Sequence, residues 1–537
     1  MTGIRADATV LGIDLGTGSV RAGLYSGSGT PLAAREEPVA TAHPRPGWAE
    51  QSPAEVLAAT FRAVAAVADV AAVPAGRAAP DAVSVASTAV TAIAVGGDDQ
   101  PVGPSLLWMD TRAAAEAAEI TRTRHPVLRH TGGQVSPEWM LPKALWLARH
   151  DPERYAAARR IVDVHDWVLF QLTGVWSLAR ATVTAEWCYD PLAGGWPGDL
   201  LDRLGLSDLL RGWSVPKLPA GAVAGTLTRD AARLTGLPAG LPVVQGLMDS
   251  YAAALAADVY RPGRVAVSIG TSSAYLGLSP RPGFDPRLLG PVPEAFGPGT
   301  IVQQGGQTSA AAVAGWFSRH LAPGVPLPVL DAEAAAVGPG ADGLWGIDTW
   351  QGCRTPYRNP AARGLWGGLT LAHTRGHLFR ATLESVAFGG RAVLETLRQA
   401  GVDGRELVVT GGAARSDLWM QIHADVLGRP LLRLCPAASS AGLSAGLSAG
   451  LSAEPVTLGA AMCAAVGAGA YPDLPAAAAG MTRAVPGWAP DPDRRQVYEP
   501  LYASYLHRLA AVSSLDGVSL GTDDQGAAVR RAGQDGR

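Results

Sequence analysis

The sequence predicts an α/β protein built from two similar domains, and three observations support this fold class. Its 537 residues are more than one hydrophobic core usually holds. Apolar segments typical of strands alternate with segments of helical periodicity. Two of the strands end in a turn of glycine and hydroxyl residues, at 16–18 and 270–272, and each turn opens one half of the chain. Two such turns in one chain indicate a duplicated unit.

The elements between and after these turns are predicted from apolar periodicity and from the turn residues that bound them. In the first half we expect helices at 53–73, 111–124 and 138–150 and strands at 82–86, 91–95 and 243–246. In the second half we expect helices at 376–400, 418–427 and 455–468 and a strand from Glu406 that enters a glycine turn.

The domain boundary is predicted near residue 256, between the helix-like run 252–258 and the pair Pro262-Gly263. This gives an N-terminal domain over 8–256 and a C-terminal domain over 257–512. The short Ala-Gly-Leu-Ser repeat marks 437–453 as a flexible loop, and the polar, glycine-rich segment 514–537 is predicted to be a disordered tail.

Composition and charge narrow the class of function. A net charge of -3 gives no reason to expect a nucleic-acid or membrane-surface partner, and no apolar run has the length of a membrane span. The four cysteines lie far apart and lack metal-ligand spacing, which favours a cytoplasmic protein over a disulfide-bonded or zinc-binding one. No lysine follows a glycine loop, so a Walker-type phosphate loop is absent.

The first turn has the residues of a phosphate site. Backbone N–H groups of Gly16, Thr17 and Gly18 can approach phosphate oxygens, Thr17 adds a hydroxyl, and Asp14 at the end of the preceding strand can face a magnesium ion. An ordinary hairpin turn explains this segment equally well when it is considered alone.

Two further elements have both a functional and a structural interpretation. The glycine turn at 411–413 follows an apolar strand and would allow close approach to a flat group such as adenine, or it is a plain β–α turn. Asp249 follows a buried-looking strand and opens a helix. It is either a helix N-cap or a general base that accepts the proton of an attacking alcohol.

Taken in order along the chain, the motifs resemble the FGGY carbohydrate kinase family. The motifs are Gly12-Ile-Asp-Leu-Gly-Thr-Gly-Ser19, Pro46-Gly-Trp-Ala-Glu-Gln51, Leu107-Trp-Met-Asp-Thr-Arg112, Pro142-Lys-Ala-Leu-Trp-Leu147, Gly246-Leu-Met-Asp249, Ile269-Gly-Thr-Ser-Ser273 and Gly411-Gly-Ala-Ala-Arg-Ser416. The segments Ser136–Lys143, Gly305–Thr308 and Trp350–Tyr357 are similar to the ribulokinase-like branch. The resemblance implies two duplicated actin/hexokinase-like (ribonuclease H-like) domains flanking a catalytic cleft.

The resemblance also implies roles, position by position. Asp249 matches the catalytic base, and Asp14 the carboxylate that faces Mg²⁺ through water. ATP would be held by the two phosphate turns and by the adenosine side: Gly16, Thr17, Gly18, Gly270, Thr271, Ser272, Gly411, Gly412, Ala413 and Ser416. The sugar pocket would contain Thr88, Ala89, Glu138, Glu186 and Gln304.

The sugar side departs from the branch at two of these positions. Where the branch has a lysine before the tryptophan, this chain has Glu186, and where it has a glutamate before Gly-Gly-Gln, this chain has Gln304. Glutamate in place of lysine replaces a hydrogen-bond donor with a hydrogen-bond acceptor. Glutamine in place of glutamate removes a charge. If Glu186 instead faces solvent, its difference from lysine has no effect on which sugar or polyol is bound.

The sequence therefore predicts an ATP-dependent kinase that phosphorylates a hydroxyl of a ribulose-like pentulose or a related ketose or polyol. Glu186 and Gln304 leave open a different acceptor, such as a pentitol, xylulose or a tetrulose. A non-catalytic sugar or nucleotide sensor and an actin-like or chaperone-like ATPase are alternatives on the same fold. The sequence also leaves open whether the protein forms a homodimer.

Overall fold

A computed structural model describes residues 7–71, 79–281, 283–437 and 454–514. The predicted flexible loop 437–453 and the predicted tail 514–537 lie, apart from their first residues, outside the described residues.

The first half of the chain supplies strands and helices in alternation. Its strands are β1 (Thr9–Leu15), β2 (Ser19–Ser26), β3 (Pro31–Pro38), β4 (Glu50–Gln51), β5 (Ala82–Ser87), β6 (Ala92–Val95), β7 (Ser105–Leu106), β8 (Arg160–Asp163), β9 (Leu178–Ala179), β10 (Lys217–Leu218), β11 (Val223–Thr226) and β12 (Pro242–Val244). Its helices are α1 (Pro53–Ala71), α2 (Ala114–Arg122), α3 (Met140–His150), α4 (Pro152–Ala157), α5 (Val164–Thr173), α6 (Arg180–Glu186), α7 (Gly198–Leu204), α8 (Leu209–Trp213), α9 (Arg229–Thr235) and α10 (Asp249–Ala256).

The second half repeats the alternation. Its strands are β13 (Arg264–Ile269), β14 (Ser273–Leu278), β15 (Leu289–Pro293), β16 (Ile301–Gln307), β17 (Trp345–Ile347), β18 (Leu365–Gly367), β19 (Glu406–Thr410), β20 (Leu431–Pro436) and β21 (Thr482–Trp488). Its helices are α11 (Ala311–His320), α12 (Leu327–Val337), α13 (Arg375–Gln399), α14 (Asp417–Leu427), α15 (Pro455–Gly467), α16 (Leu474–Met481) and α17 (Pro492–Ser514). Every helix predicted above is present, with ends shifted by a few residues.

The two large sheets have the same central topology. Among the described strands, the first sheet has the order β11-β12-β5-β1-β2-β3 and the second the order β15-β16-β14-β13-β19-β20-β21. In the first, β1 is antiparallel to β2 and parallel to β5, which is parallel to β12. In the second, β13 is antiparallel to β14 and parallel to β19, which is parallel to β20. The predicted duplicated α/β fold is therefore confirmed.

A shared apolar layer joins the halves. One buried cluster contains side chains of both sheets, among them Val10 and Ala266, together with most of α10 and α15. The alanine and glycine content of α15 allows very close packing. A Cβ atom at Gly12 of β1 would overlap the carbonyl oxygen of Thr457, and one at Gly459 would overlap that of Ala252. Backbone packed on backbone fixes α15 between the sheet and α10.

Gly459→Ala tests this packing. Because the neighbouring atoms are main-chain atoms that cannot turn aside, we expect the free energy of unfolding to fall by about 3 kcal/mol or more. Chemical denaturation measures the change. Gly198→Ala is the matched control, since nothing lies within 4 Å of a Cβ at that helical position. Equal stability of the two variants would contradict the packing.

Among the helices of the described ranges, none combines the length and apolar character that crossing a membrane requires.

Candidate active site

The carboxyl ends of three parallel strands meet at one edge of the first sheet. Asp14 of β1 is paired with Ala86 of β5, and the Thr88 amide that follows β5 donates to the Leu15 carbonyl at 3.1 Å. Ser87 also forms a bridge with Met248, directly before Asp249. Such an edge is where α/β proteins bind their ligands. It brings Asp14, Thr88 and Asp249 together although they are far apart in sequence.

Asp14 is a buried carboxylate with an unused oxygen. Its side chain is almost fully buried, and Oδ2 accepts a hydrogen bond from Arg21 at 3.4 Å. Oδ1 is buried and has no partner among the described residues. Burial, together with the nearby charges of Glu454 and Asp249, raises the pKa of Asp14 well above its usual value, against the opposing effect of Arg21. A cation in front of Oδ1 would relieve this unfavourable concentration of charge.

The residues present fit a magnesium ion held through water. Mg²⁺ prefers carboxylate oxygens and usually keeps several of its water ligands. Asp14 offers the unpartnered oxygen, and Asp249 and Glu454 are close enough to affect its pKa. Within the described ranges, no three acidic, histidine or cysteine side chains are close enough to coordinate an ion directly. An Mg²⁺ ion at Asp14 would therefore take most of its ligands from water.

The second phosphate turn and the third glycine turn are neighbours. Strands β13 and β19 are parallel, and Ser268 pairs with Thr410 just before the two turns begin. Gly411 has φ of 94°, and a Cβ at this position would lie 2.5 Å from the Ile269 carbonyl oxygen. Only glycine permits this approach. Two carbonyls of the turn 270–272 bind the start of α11: that of Gly270 accepts from the Ala311 amide at 2.8 Å, and that of Thr271 accepts from the amide of the N-cap Ala310 at 2.9 Å.

The predicted adenosine-side residues differ in accessibility. Gly411 and Gly412 are exposed, whereas Ala413 is buried. Ser416 is the N-cap of α14: its hydroxyl accepts a bond from the Trp419 amide at 3.1 Å and donates to Asp331 at 2.8 Å. Its hydroxyl is therefore already engaged, and a role in adenosine binding stays a prediction.

Asp249 is the first residue of α10, and the N-cap is Met248. The interpretation of Asp249 as an N-cap is therefore wrong. Its Oδ1 accepts a bond from the Ser250 amide at 2.5 Å. Burial, and secondarily the charge of Glu454, raises the pKa of Asp249 to about 6 against that hydrogen bond. A carboxylate with a pKa near 6 is ionised at neutral pH, as a general base must be, and is more basic than an ordinary aspartate.

The pKa of Asp249 predicts how kcat/KM changes at acidic pH. The base must be ionised, so we expect kcat/KM to fall about tenfold for each pH unit below about 6 and to level off above that value. Initial rates between pH 4.5 and 8.5, with enzyme stability checked at each pH, measure it. A profile that stays flat down to pH 5 would contradict the assignment.

Glu186 lies at the end of α6 and points into the protein. Its Oε2 atom is buried and lacks a hydrogen-bond partner among the described residues. Burial, then the charges of Glu138, Asp163 and Asp249, raise its pKa well above the usual value, while Lys143 opposes them. The residue as a whole is partly exposed, but its Oε2 faces the interior, which argues against the alternative of a solvent-facing Glu186. The charges of both Asp249 and Glu138 act on the Glu186 carboxyl, so the three side chains lie near one another.

Glu138 and Gln304 lie where the two domains approach each other. Glu138 accepts a bond from Ser136 at 3.2 Å, and its Oε2 is 3.6 Å from Arg354 of the C-terminal half. On β16, Gln304 shares a strand face with Val302, which belongs to the interdomain cluster. Gln303 points to the opposite face and donates to the Gly283 carbonyl at 2.6 Å. Gln304 thus faces the N-terminal domain.

A buried lysine, Lys143, binds the backbone next to Thr88 and Ala89. Lys143 Nζ donates to the carbonyls of Val90 and Leu107, at 2.7 and 2.6 Å, and to that of Leu106 at 3.3 Å. Burial lowers its pKa to about 8. Thr88 itself has its hydroxyl 3.4 Å from that of Thr91. Lys143 therefore positions the loop and is not free to contact a substrate.

Glu454 is a site residue that the sequence does not reveal. Its side chain caps α15 by accepting a hydrogen bond from the Thr457 amide at 2.8 Å. Its negative charge helps to raise the pKa values of Asp14 and Asp249. It follows the Gly/Ser-rich repeat, where no motif draws attention to an acid. A glutamate before proline at a helix start is a capping signal only.

Comparison with known proteins identifies a family that spans both halves of the chain. The model of the FGGY family of carbohydrate kinases, N-terminal domain, matches residues 9–256, and that of the C-terminal domain matches residues 265–468. The chain is 33% identical over 432 residues to a ribulokinase of Mycolicibacterium smegmatis, covering 76% of this chain and 73% of that protein. It is 28% identical over 544 residues to an FGGY carbohydrate kinase domain-containing protein of Xenopus laevis, covering 92% and 95%.

A solved structure is similar over nearly the whole chain. The xylulose kinase from Rhodospirillum rubrum superposes with a TM-score of 0.80 at 30% identity, covering 94% of this chain and 99% of that one. The family match and the fold define a phosphotransferase with an alcohol acceptor. The chain belongs to the FGGY family of carbohydrate kinases.

Proposed function

We propose that this kinase transfers the γ-phosphate of ATP to a hydroxyl of a pentulose or a related ketose or polyol, with Asp249 as the general base. One observation carries the proposal: the bridge between Ser87 and Met248 brings Asp249 to the sheet edge where β1 ends in Asp14, and next to the loop of Thr88 and Ala89 on the predicted sugar side. A base between donor and acceptor is what in-line phosphoryl transfer needs.

The chain's own groups account for positioning and proton transfer. The amides of Thr17, Gly18, Thr271 and Ser272 are suited to hold the phosphate oxygens, whereas those of Gly16 and Gly270 already donate to the carbonyls of Ser19 and Ser272. Asp249 accepts the proton of the acceptor hydroxyl as its oxygen attacks phosphorus. Magnesium, held through water before Asp14, would neutralise charge on the transferring group. Closure of the two domains around the substrates would exclude water, which otherwise competes as the acceptor.

The acceptor pocket differs chemically from that of a ribulokinase. Glu186 provides a hydrogen-bond acceptor at the position where the ribulokinase-like branch has a lysine, which is a hydrogen-bond donor. Gln304 provides an amide at the position where that branch has a carboxylate. A buried polar group left without its partner costs about 1–3 kcal/mol, so pockets discriminate strongly between hydroxyl patterns. We therefore propose an acceptor other than ribulose, such as a pentitol, xylulose or a tetrulose, that donates a hydroxyl to Glu186.

A cytoplasmic location fits this activity. ATP is available there, and all four cysteines, which lie within the described part of the chain, are free thiols.

An acceptor screen tests the proposal. Purified protein with Mg²⁺ and ATP is supplied with pentuloses, tetruloses, hexuloses, pentitols and sugar acids, and ADP release is measured against a blank without acceptor. We expect at least one neutral ketose or polyol to raise the rate well above the blank. A rate that no acceptor changes, together with tight sugar binding by calorimetry, would instead indicate a sensor.

A further inference from the structure

Thr17 of the first phosphate turn is bound by side chains from two other motifs. The indole Nε1 of Trp108 donates to the Thr17 hydroxyl at 2.9 Å. Gln51 Nε2 donates to the Thr17 carbonyl at 2.5 Å, and the hydroxyl of Thr41 donates to the same carbonyl at 3.1 Å. The family resemblance of these motifs gives neither Trp108 nor Gln51 a role, and the structure connects both to the turn.

The direction of the Trp108 bond determines what the Thr17 hydroxyl can do. An indole N–H is only a donor, so the Thr17 oxygen must be the acceptor of this bond. The hydroxyl keeps its one proton to give elsewhere, and it donates to no other group among the described residues. The next residue of the turn, Gly18, borders open space, since nothing lies within 4 Å of a Cβ at that position.

Trp108 is itself rigidly placed. The segment 107–112 is joined to the segment 47–51, because the Leu107 amide donates to the Ala49 carbonyl at 3.0 Å and the Ala49 amide donates to Asp110 at 2.7 Å. Lys143 binds the Leu107 carbonyl and, at the same time, the Val90 carbonyl in the loop of Thr88 and Ala89. The phosphate turn and the sugar-side loop are therefore attached to one frame.

We propose that Trp108 is a positioning residue for nucleotide binding: its indole N–H occupies the acceptor side of the Thr17 hydroxyl and thereby directs the hydroxyl proton toward a phosphate oxygen of ATP. Gln51 supports the same orientation by holding the Thr17 carbonyl away from the phosphates. The inference rests on the proposed function for the identity of the nucleotide only, and it does not depend on which acceptor is phosphorylated.

A double-mutant cycle tests the proposal through binding alone. The affinity for a non-hydrolysable ATP analogue with Mg²⁺ is measured by calorimetry, without acceptor, for the wild type, Trp108→Phe, Thr17→Val and the double variant. Phenylalanine keeps a ring and removes the donor. Loss of one hydrogen bond predicts a dissociation constant raised about three- to tenfold for Trp108→Phe. Since Trp108 acts through the hydroxyl, the double variant should bind no more weakly than Thr17→Val.

Two matched variants complete the design. Thr17→Ser keeps the hydroxyl, so Trp108→Phe should still weaken binding in that background. Trp176→Phe removes an indole that donates to Asp99 at 3.0 Å and contacts no residue of the site, and it should leave nucleotide binding unchanged. If an acceptor is phosphorylated, Trp108→Phe should raise KM for ATP by a larger factor than KM for the acceptor.

Three results would overturn the proposal: unchanged affinity in Trp108→Phe, additive losses in the double variant, or an effect confined to KM for the acceptor. Failure of the proposed function is a separate result. It would appear as an absence of acceptor phosphorylation in the wild type, while the binding cycle would still decide the role of Trp108.

Discussion

Asp249→Asn is expected to lower kcat by about a thousandfold and to leave KM for ATP within a few-fold of the wild type. The amide has nearly the same shape as the carboxylate but cannot accept a proton from the acceptor hydroxyl, and general-base catalysis typically contributes 10²–10⁴-fold. Quenched-flow or coupled measurement of ADP release with the best acceptor gives kcat. Glu153→Gln, on the exposed side of α4, makes the same chemical change away from the cleft and should be silent.

Asp249→Asn also has a predicted effect on stability. Measuring it shows whether the loss of activity comes from misfolding. Burial raises the pKa of Asp249 from 3.8 to about 6 in the folded chain. Above pH 6 the folded protein therefore carries a buried negative charge, which lowers its free energy of unfolding. Asparagine removes that charge and should stabilise the fold at pH 7, by at most about 3 kcal/mol. The difference should disappear below about pH 4, where Asp249 is protonated both folded and unfolded. An inactive variant that is less stable at pH 7 would contradict this account.

Glu186→Lys combined with Gln304→Glu is expected to shift acceptor preference toward ribulose. The ratio of kcat/KM for ribulose to that for the preferred acceptor should rise about 10²- to 10³-fold. Each change restores a donor or a charge at a position where an unmatched polar group costs about 1–3 kcal/mol. Glu186 has one buried oxygen and lies near the charges of Asp249 and Glu138, and Gln304 faces the same domain, so we expect both changes to act on one pocket.

Controls separate pocket chemistry from overall charge. Glu153→Lys makes the same charge reversal as Glu186→Lys on the exposed surface of α4 and should leave the ratio unchanged. Each single change should produce a smaller shift than the pair, because the two groups contact one bound molecule. If the double variant keeps the acceptor ratio of the wild type, residues other than Glu186 and Gln304 choose the acceptor.

The sequence predicts the fold well because local pattern and global topology agree. The glycine turns at 16–18 and 270–272 both close hairpins at the same place in the duplicated sheets, and β1 and β13 read as apolar strands. The close packing of α15 against β1 and α10 is not visible in the sequence. The composition of α15 predicts a buried helix, but only the structure shows that Gly12 and Gly459 have carbonyl groups against them.

The candidate site is predicted in part, for a physical reason. Asp14 and Asp249 belong to short motifs next to strands, so their meeting at one sheet edge follows from the parallel topology. Glu454, Lys143 and Trp108 act through contacts between distant segments, and no local spacing encodes those contacts. Asp249 illustrates the limit in the other direction, since its sequence fits an N-cap until Met248 is seen to occupy that position.

The most direct test of the central claim is ³¹P nuclear magnetic resonance of the wild-type reaction with Mg²⁺, ATP and the acceptor that the screen selects. The account predicts that a phosphate monoester of the acceptor appears in step with ADP, with little inorganic phosphate, and that Asp249→Asn produces neither at a comparable rate. Formation of ADP and inorganic phosphate without the monoester, at a rate that the acceptor does not change, would contradict it.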